Sequence, residues 1–254
     1  LTFNSANDPN TATVAGTLDM NSANAVRIFA VNNSYAPGAA VDMDISAKIF
    51  GVNSTNFTKN GGGVLRLSGA NAFDSCFVMA DNSGTVIAAN PQALGTPTVG
   101  RYMAVGVNDS LVFDGTGGNI TVPALYTNLY LNGQGDYQIG VIRGELVNWS
   151  GTNTVACPTV SLLGSTYLAS LGGKLILSGM ITNAQDLAVY GSGDMELGGP
   201  ILTGLKVLNK NGAGTLTLSG TAMNLYSNTT TVNAGTLLLA KANGTQPVNA
   251  TINM

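Results

Sequence analysis

The first residues to weigh are those whose types could do chemistry. Asp42 and Asp44 stand at i and i+2, which puts both carboxyls on one side of an extended strand, at the separation that glycoside hydrolysis requires of its acid pair. Asp109 and Asp114 flank another short apolar run. A lyase would instead need a Lys or Arg base beside acidic groups, and Arg101, Arg143 and Lys174 are available, yet no spacing groups them. Gly191-Ser192-Gly193-Asp194 has the form of a calcium-binding turn, but one copy gathers too few oxygens. With no histidine in the chain, Ser-His-Asp and Cys-His catalysis and every His-ligated metal site are excluded. Gly61-Gly62-Gly63 precedes an extended run and not a helix, so it is no phosphate loop. An exposed polar coil face accounts for the acidic pairs better than catalysis does. The expectation is a non-enzymatic protein with no catalytic residue, no metal and no cofactor.

Composition points the same way. The 254 residues are 44% hydrophobic and only 9% charged, with 33 glycines and a net charge of −3. This excludes a nucleic-acid binder that works through a basic face. No apolar run is long enough for a membrane-spanning helix. Only two glutamates occur, while Thr, Val, Asn and Gly abound, so strands and turns are favoured over helices.

An internal period organises these residues. Lys210-Asn211-Gly212-Ala213-Gly214-Thr215-Leu216-Thr217-Leu218-Ser219-Gly220 aligns with Lys59-Asn60-Gly61-Gly62-Gly63-Val64-Leu65-Arg66-Leu67-Ser68-Gly69. Shorter copies hold Lys174-Leu175-Ile176-Leu177-Ser178-Gly179 and Gly235-Thr236-Leu237-Leu238-Leu239. The alternation sends the leucines (Leu65, Leu67, Leu175, Leu177, Leu216, Leu218, Leu237, Leu239) into a core, with threonines outward. Gly61, Gly63, Gly69, Gly212, Gly214, Gly220 and Gly235 mark the corners, where positive φ or close backbone approach is needed. A period of about 20 residues is that of a solenoid. The expected fold is all-β, a parallel β-helix of about twelve coils, in which each strand pairs with its equivalent above and below. Val64–Leu67 and the strand beginning at Thr215 are expected to continue one pattern. Residues 1–254 read as one domain, with 115–165 less regular, as shorter coils or a projecting loop.

The segments Lys210–Gly220 and Thr229–Leu239 resemble the autotransporter-associated β-strand repeat, also called the passenger-associated transport repeat, and Phe57–Gly95 is a more degraded copy. The resemblance implies a secreted or surface-displayed bacterial β-helix. It implies no activity, because fold analogy does not assign one.

Three further expectations concern partners. Leu1-Thr2-Phe3 and Val248 to Met254 read as ordinary apolar coil and not as polar caps, so the ends need either a stacked second copy or continuation into further sequence. The leading reading is therefore an extracellular rod that self-assembles head to tail into a filament. Cys76 and Cys157 are expected as buried free thiols, with an intersubunit bond as the sharper alternative. The second reading is an adhesin passenger, with Tyr126, Tyr130, Tyr137 and Trp149 forming a contact surface for glycan or cell surface.

Overall fold

A computed structural model describes residues 1–3, 10–20, 25–34, 40–51, 56–136, 144–183, 185–242, 245–248 and 251–254. Its strands are short, and every ladder between them is parallel. They form a right prism of stacked coils with three faces. The first face has eight strands, from Thr2–Phe3 through Arg27–Val31, Asn56–Asn60, Cys76–Met79, Arg101–Val105, Tyr126–Leu131 and Thr159–Leu162 to Met180–Thr182. The second has eleven, from Ala12–Val14 through Met43–Ile45, Val64–Leu67, Thr85–Ala88, Ser110–Asp114, Leu146–Ser150, Thr166–Ser170, Leu187–Tyr190, Leu208–Lys210 and Thr230–Val232 to Ile252–Asn253. The third is split. Thr17–Asp19, Lys48–Gly51 and Ala72–Phe73 make one sheet, and Thr121–Val122, Thr152–Val155, Lys174–Leu177, Asp194–Leu197, Thr215–Gly220 and Thr236–Lys241 make another. In the coil between them a turn, closed by the Ala93 amide on the Asn90 carbonyl, takes the strand's place and buries Ala93 and Leu94 in the core. The only helix among the described residues is the single 3₁₀ turn Gly115–Gly117.

The fold is thus the all-β parallel solenoid that the repeat predicts, with fewer coils than twelve. Its deepest face counts eleven strands, about 48 Å at the usual strand spacing. The shortfall comes from two long coils. Ala12 pairs with Met43, 31 residues on, and Leu111 with Leu146, 35 residues on. By contrast Leu65 to Val86 is 21 residues, and Leu187 to Leu208 is also 21. The 115–165 region contains regular rungs on all three faces, and its excess length lies between Leu131 and Leu146.

One continuous apolar core runs up the axis. Near the N-terminus it is aromatic: Phe57 stacks on Phe29, Phe77 and Phe73 with centroids 4.2, 5.2 and 5.3 Å apart. Toward the C-terminus it becomes two leucine-rich ladders on the third face. Leu175, Met195, Leu216 and Leu237 are in register, and so are Leu177, Leu197, Leu218 and Leu239. Alternation within Thr215–Gly220 buries Leu216 and Leu218 and leaves Thr215 and Thr217 half-exposed.

One expectation about the strands needs correction. Val64–Leu67 lies on the second face and Thr215–Gly220 on the third, although their sequences align. The motif encodes a corner and the strand that leaves it, and any corner of the prism satisfies that requirement.

Candidate functional site at the corners of the rod

The acidic pairs do not form an active site. Met43–Ile45 sends Met43 and Ile45 inward, and Asp42 precedes that strand, inside a corner. There it is buried and accepts from the amides of Ser34 and Val64, both at 2.7 Å. Asp44 faces outward and pairs with Arg66 at 3.3 Å. The two carboxyls therefore do not share a face, because the turn before Met43 breaks the extended geometry on which i, i+2 depends. Asp109 and Asp114 separate in the same way. Asp109 is buried, whereas Asp114 faces out toward Arg66 at 3.9 Å and accepts from Ser150 and Thr116. Arg101 is committed to Asp74 at 3.0 Å and Lys174 to Glu196 at 2.5 Å, on different faces; Arg143 lies outside the described residues. Asp194 accepts from the Thr215 amide of the next coil, a structural turn contact. No group of three His, Cys, Asp or Glu among the described residues could hold a metal.

The aromatic set is dispersed as well. Tyr126 is fully buried, and its hydroxyl donates to the Leu94 carbonyl at 2.8 Å, so it fills the core where the third face is interrupted. Tyr130 faces outward on the first face, edge-on to Tyr102 at 5.8 Å. Trp149 lies on the second face against a separate cluster formed by Val64, Ile87, Ala89, Val112, Val147 and Ala169. Tyr137 lies outside the described residues. Tyr126, Tyr130 and Trp149 therefore offer no common contact surface.

Cys76 and Cys157 are both free and buried. Cys157 belongs to the core, and burial pushes its thiol up to about 12. A maleimide should consequently label Cys157 only as fast as the rod unfolds, and reductant should leave the thermal transition in place. Rapid stoichiometric labelling of Cys157 under native conditions would contradict this burial.

What the repeats do build is a set of corner clamps. Lys59 ends a first-face strand with its side chain fully buried. Its Nζ donates to the carbonyls of Gly61 at 2.6 Å, Ser83 at 2.5 Å, Asn60 at 3.1 Å and Val31 at 3.4 Å. These acceptors belong to three successive coils, so one ammonium gathers corner carbonyls, of which that of Val31 also accepts from the Gly63 amide. Desolvation pulls it down to about 8, against the opposing pull of Asp109, Asp42 and Asp136. Lys210 does the same at the corner between the second and third faces, donating to Gly212 and to Ala234 of the next coil. The glycines beside these lysines allow the approach. A Cβ at Gly61 would lie 2.6 Å from the Val31 carbonyl oxygen, and one at Gly63 the same distance from that of Asn32. Gly69, Gly212, Gly214 and Gly220 likewise abut the backbone of the preceding coil, and Gly235 turns at φ 73°.

Two asparagines complete the clamps, and sequence reasoning did not single them out. Asn71 accepts from the Ile49 amide of the coil before and donates to the Ala93 carbonyl of the coil after. Asn224 repeats this between the Ile201 amide and the Pro247 carbonyl. Both are buried. Each precedes by two residues a buried aromatic, Phe73 or Tyr226, which is the signal that could have found them. Asn108 on Asn82 and Asn233 on Asn211 form exposed side-chain pairs between successive coils.

Comparison with curated proteins gave no match, and comparison with solved structures gave none. The model of one family, described as the passenger-associated-transport-repeat, matches residues 57–89 and 208–239. Those two stretches contain Lys59 with Asn71 and Lys210 with Asn224, so each match carries one complete set of clamps. The chain is therefore a parallel β-solenoid that bears two passenger-associated-transport-repeats.

Proposed function

We propose that this chain is a non-enzymatic structural rod of a bacterial surface or secreted protein, which extends by stacking its end rungs on further solenoid. The repeat and the fold fit a structural protein like an autotransporter passenger. The observation that carries end-to-end stacking is the open last rung. Leu216 and Leu218 are fully buried, but the Leu239 that stacks on Leu218 is 42% exposed. Among the described residues no strand pairs beyond Thr236–Lys241, which leaves its ladder edge and Leu239 uncovered, a combination that costs free energy until another rung, from further sequence or from a second copy, covers it. A second copy stacked head to tail would cover it and make an open, non-closing contact.

Electron microscopy of the purified 254-residue chain at micromolar concentration tests this reading. Filaments with an axial repeat of about 50 Å are the expected result. Isolated short rods at every concentration would overturn self-assembly and leave the adhesin reading in front, with glycan-array binding as its assay.

A further inference from the structure

In a chain with 9% charged residues, one corner of the rod concentrates buried charge. Between the first and second faces lie Asp42, Lys59, Asp109, Asp136 and Glu145, all buried, the last two on one coil. They are joined by shared partners. Ser83 accepts from Lys59 Nζ through its carbonyl and donates through its hydroxyl to Asp109 at 3.1 Å. Asp109 also accepts from the Gly84 amide at 2.9 Å. Thr85 donates to Asp136 at 3.0 Å, and the Asp136 amide donates to the Ser110 hydroxyl, which in turn donates to the Gly144 carbonyl. Glu145 accepts from the amides of Asn132 and Gly133, one on each carboxyl oxygen.

Three carboxyls, those of Asp42, Asp109 and Asp136, thus share the single Lys59 ammonium, and the buried Glu145 carboxyl has only backbone amides, so the column cannot be fully ionised without uncompensated buried charge. We infer that this corner is a proton-operated latch, which holds the middle coils tightly closed when Asp109 and Glu145 carry protons and loosens them locally as those protons leave. Among the described residues the C-terminal coils show no such column: the corner at Lys210 uses an ammonium on neutral carbonyls.

Burial pushes Asp109 up to about 7, against hydrogen bonds from Ser83 and Gly84 and the charge of Lys59. Burial pushes Glu145 up to about 9, against the Asn132 and Gly133 amides and helped by the negative charge of Asp109. Both carboxyls are raised above their unfolded values, so the folded state holds extra protons. Stability then falls as pH rises from about 4 to 7 for Asp109 and on to about 9 for Glu145. Lys59 is lowered, so it opposes this trend only above about pH 8. Asp81 is the other acid at this corner. Its carboxylate accepts from the Val107 amide in an exposed setting, which leaves it outside the buried set.

Hydrogen exchange on the intact chain, corrected for intrinsic rates, tests the latch. From pH 5 to pH 8 the amides of Gly84, Asn132 and Gly133 should lose at least about tenfold in protection, while those of Leu197 and Leu216 hold theirs. Asp109→Asn and Glu145→Gln should each flatten the pH response at this corner. Equal loss at Leu197 and Leu216, or an unchanged slope in both variants, overturns the inference. Should the variants fail to fold, a carboxyl-carbon titration of the unsubstituted chain decides: a Glu145 midpoint near the ordinary value also overturns it.

Discussion

Replacing Gly191 with alanine should destabilise the rod far more than replacing Gly16, although both glycines have φ near 100°: 102° at Gly191 and 93° at Gly16. At Gly191 a Cβ would land on the Ser170 carbonyl of the preceding coil, a backbone atom held by its own ladder. At Gly16 nothing lies within 4 Å of it. Gly16→Ala thus meets only the left-handed conformational penalty of about 1–2 kcal/mol. Gly191→Ala adds displacement of a packed coil, for a total of about 3–5 kcal/mol. At the usual sensitivity for a chain of this length, that is a fall in Tm of about 10 °C against a few degrees. Circular dichroism melts of the two variants beside the parent chain check it. Equal shifts would mean that backbone conformation, not coil spacing, makes these glycines necessary. Because each coil touches only its neighbours, the damage at Gly191 should also show as a local loss of exchange protection on both sides of it.

The spacing that makes Gly191 intolerant was legible in the sequence, since glycine before each alternating run marks a corner in a solenoid. The leucine ladder was legible for the same reason: a period of two has only one buried phase. Which face each run would occupy was not. Val64–Leu67 and Thr215–Gly220 have almost the same sequence, and the face depends on how many residues earlier coils spend between corners. The long step from Leu111 to Leu146 shows this most plainly: the irregularity of 115–165 was legible, but not that its excess length falls between Leu131 and Leu146. Asp42 and Asp44 misled for a local reason. The i, i+2 rule holds inside a strand, and Asp42 stands one residue outside one, where its carboxylate serves as a corner acceptor.

Charged groups were the hardest to place because a solenoid inverts their usual meaning. In most folds a Lys followed by Asn-Gly is a solvated turn. Here the turn is stacked between two others, and its freed carbonyls point into the corner, where only a long side chain with several donors can reach them. The outward ion pairs behave conventionally. The Lys174 hydrogen bond and then that of Ser219 hold Glu196 below its ordinary range. Burial raises Asp74, but hydrogen bonds from Arg101 and Thr98 outweigh it and hold Asp74 low. Those exposed pairs contribute stability that is lost only as pH falls through the low carboxylate range, and each is worth little. The outward carboxylates of Asp44, Asp74, Asp114 and Glu196 are paired with Arg66, Arg101, Arg66 and Lys174, and those of Asp42 and Asp109 are buried on backbone amides, so neither acidic pair singled out in the sequence is arranged as glycoside hydrolysis requires.

The clamps themselves lead to the second large effect. Lys59→Met keeps the length and apolar stem of the side chain and removes only the ammonium. Four carbonyls, those of Val31, Asn60, Gly61 and Ser83, then lose a donor inside the corner. The same change at Lys210 strips two, those of Gly212 and Ala234. Removing a charged donor from buried acceptors costs about 1–3 kcal/mol for each group left without any partner, offset by the desolvation of the ammonium that no longer has to be met. The expected losses are about 3–5 kcal/mol for Lys59→Met and roughly half that for Lys210→Met. Urea unfolding of both variants gives the order, and a larger loss at Lys210 would refute the carbonyl-gathering account. The double variant goes further. The two lysines sit at different corners and many coils apart, with no shared acceptor, so their effects should add to within about 0.5 kcal/mol. Additivity would establish each repeat as an independent clamp on its own coils. A coupling of 1 kcal/mol or more would instead mean that the two corners sense each other through the continuous core or that the coils do not unfold together.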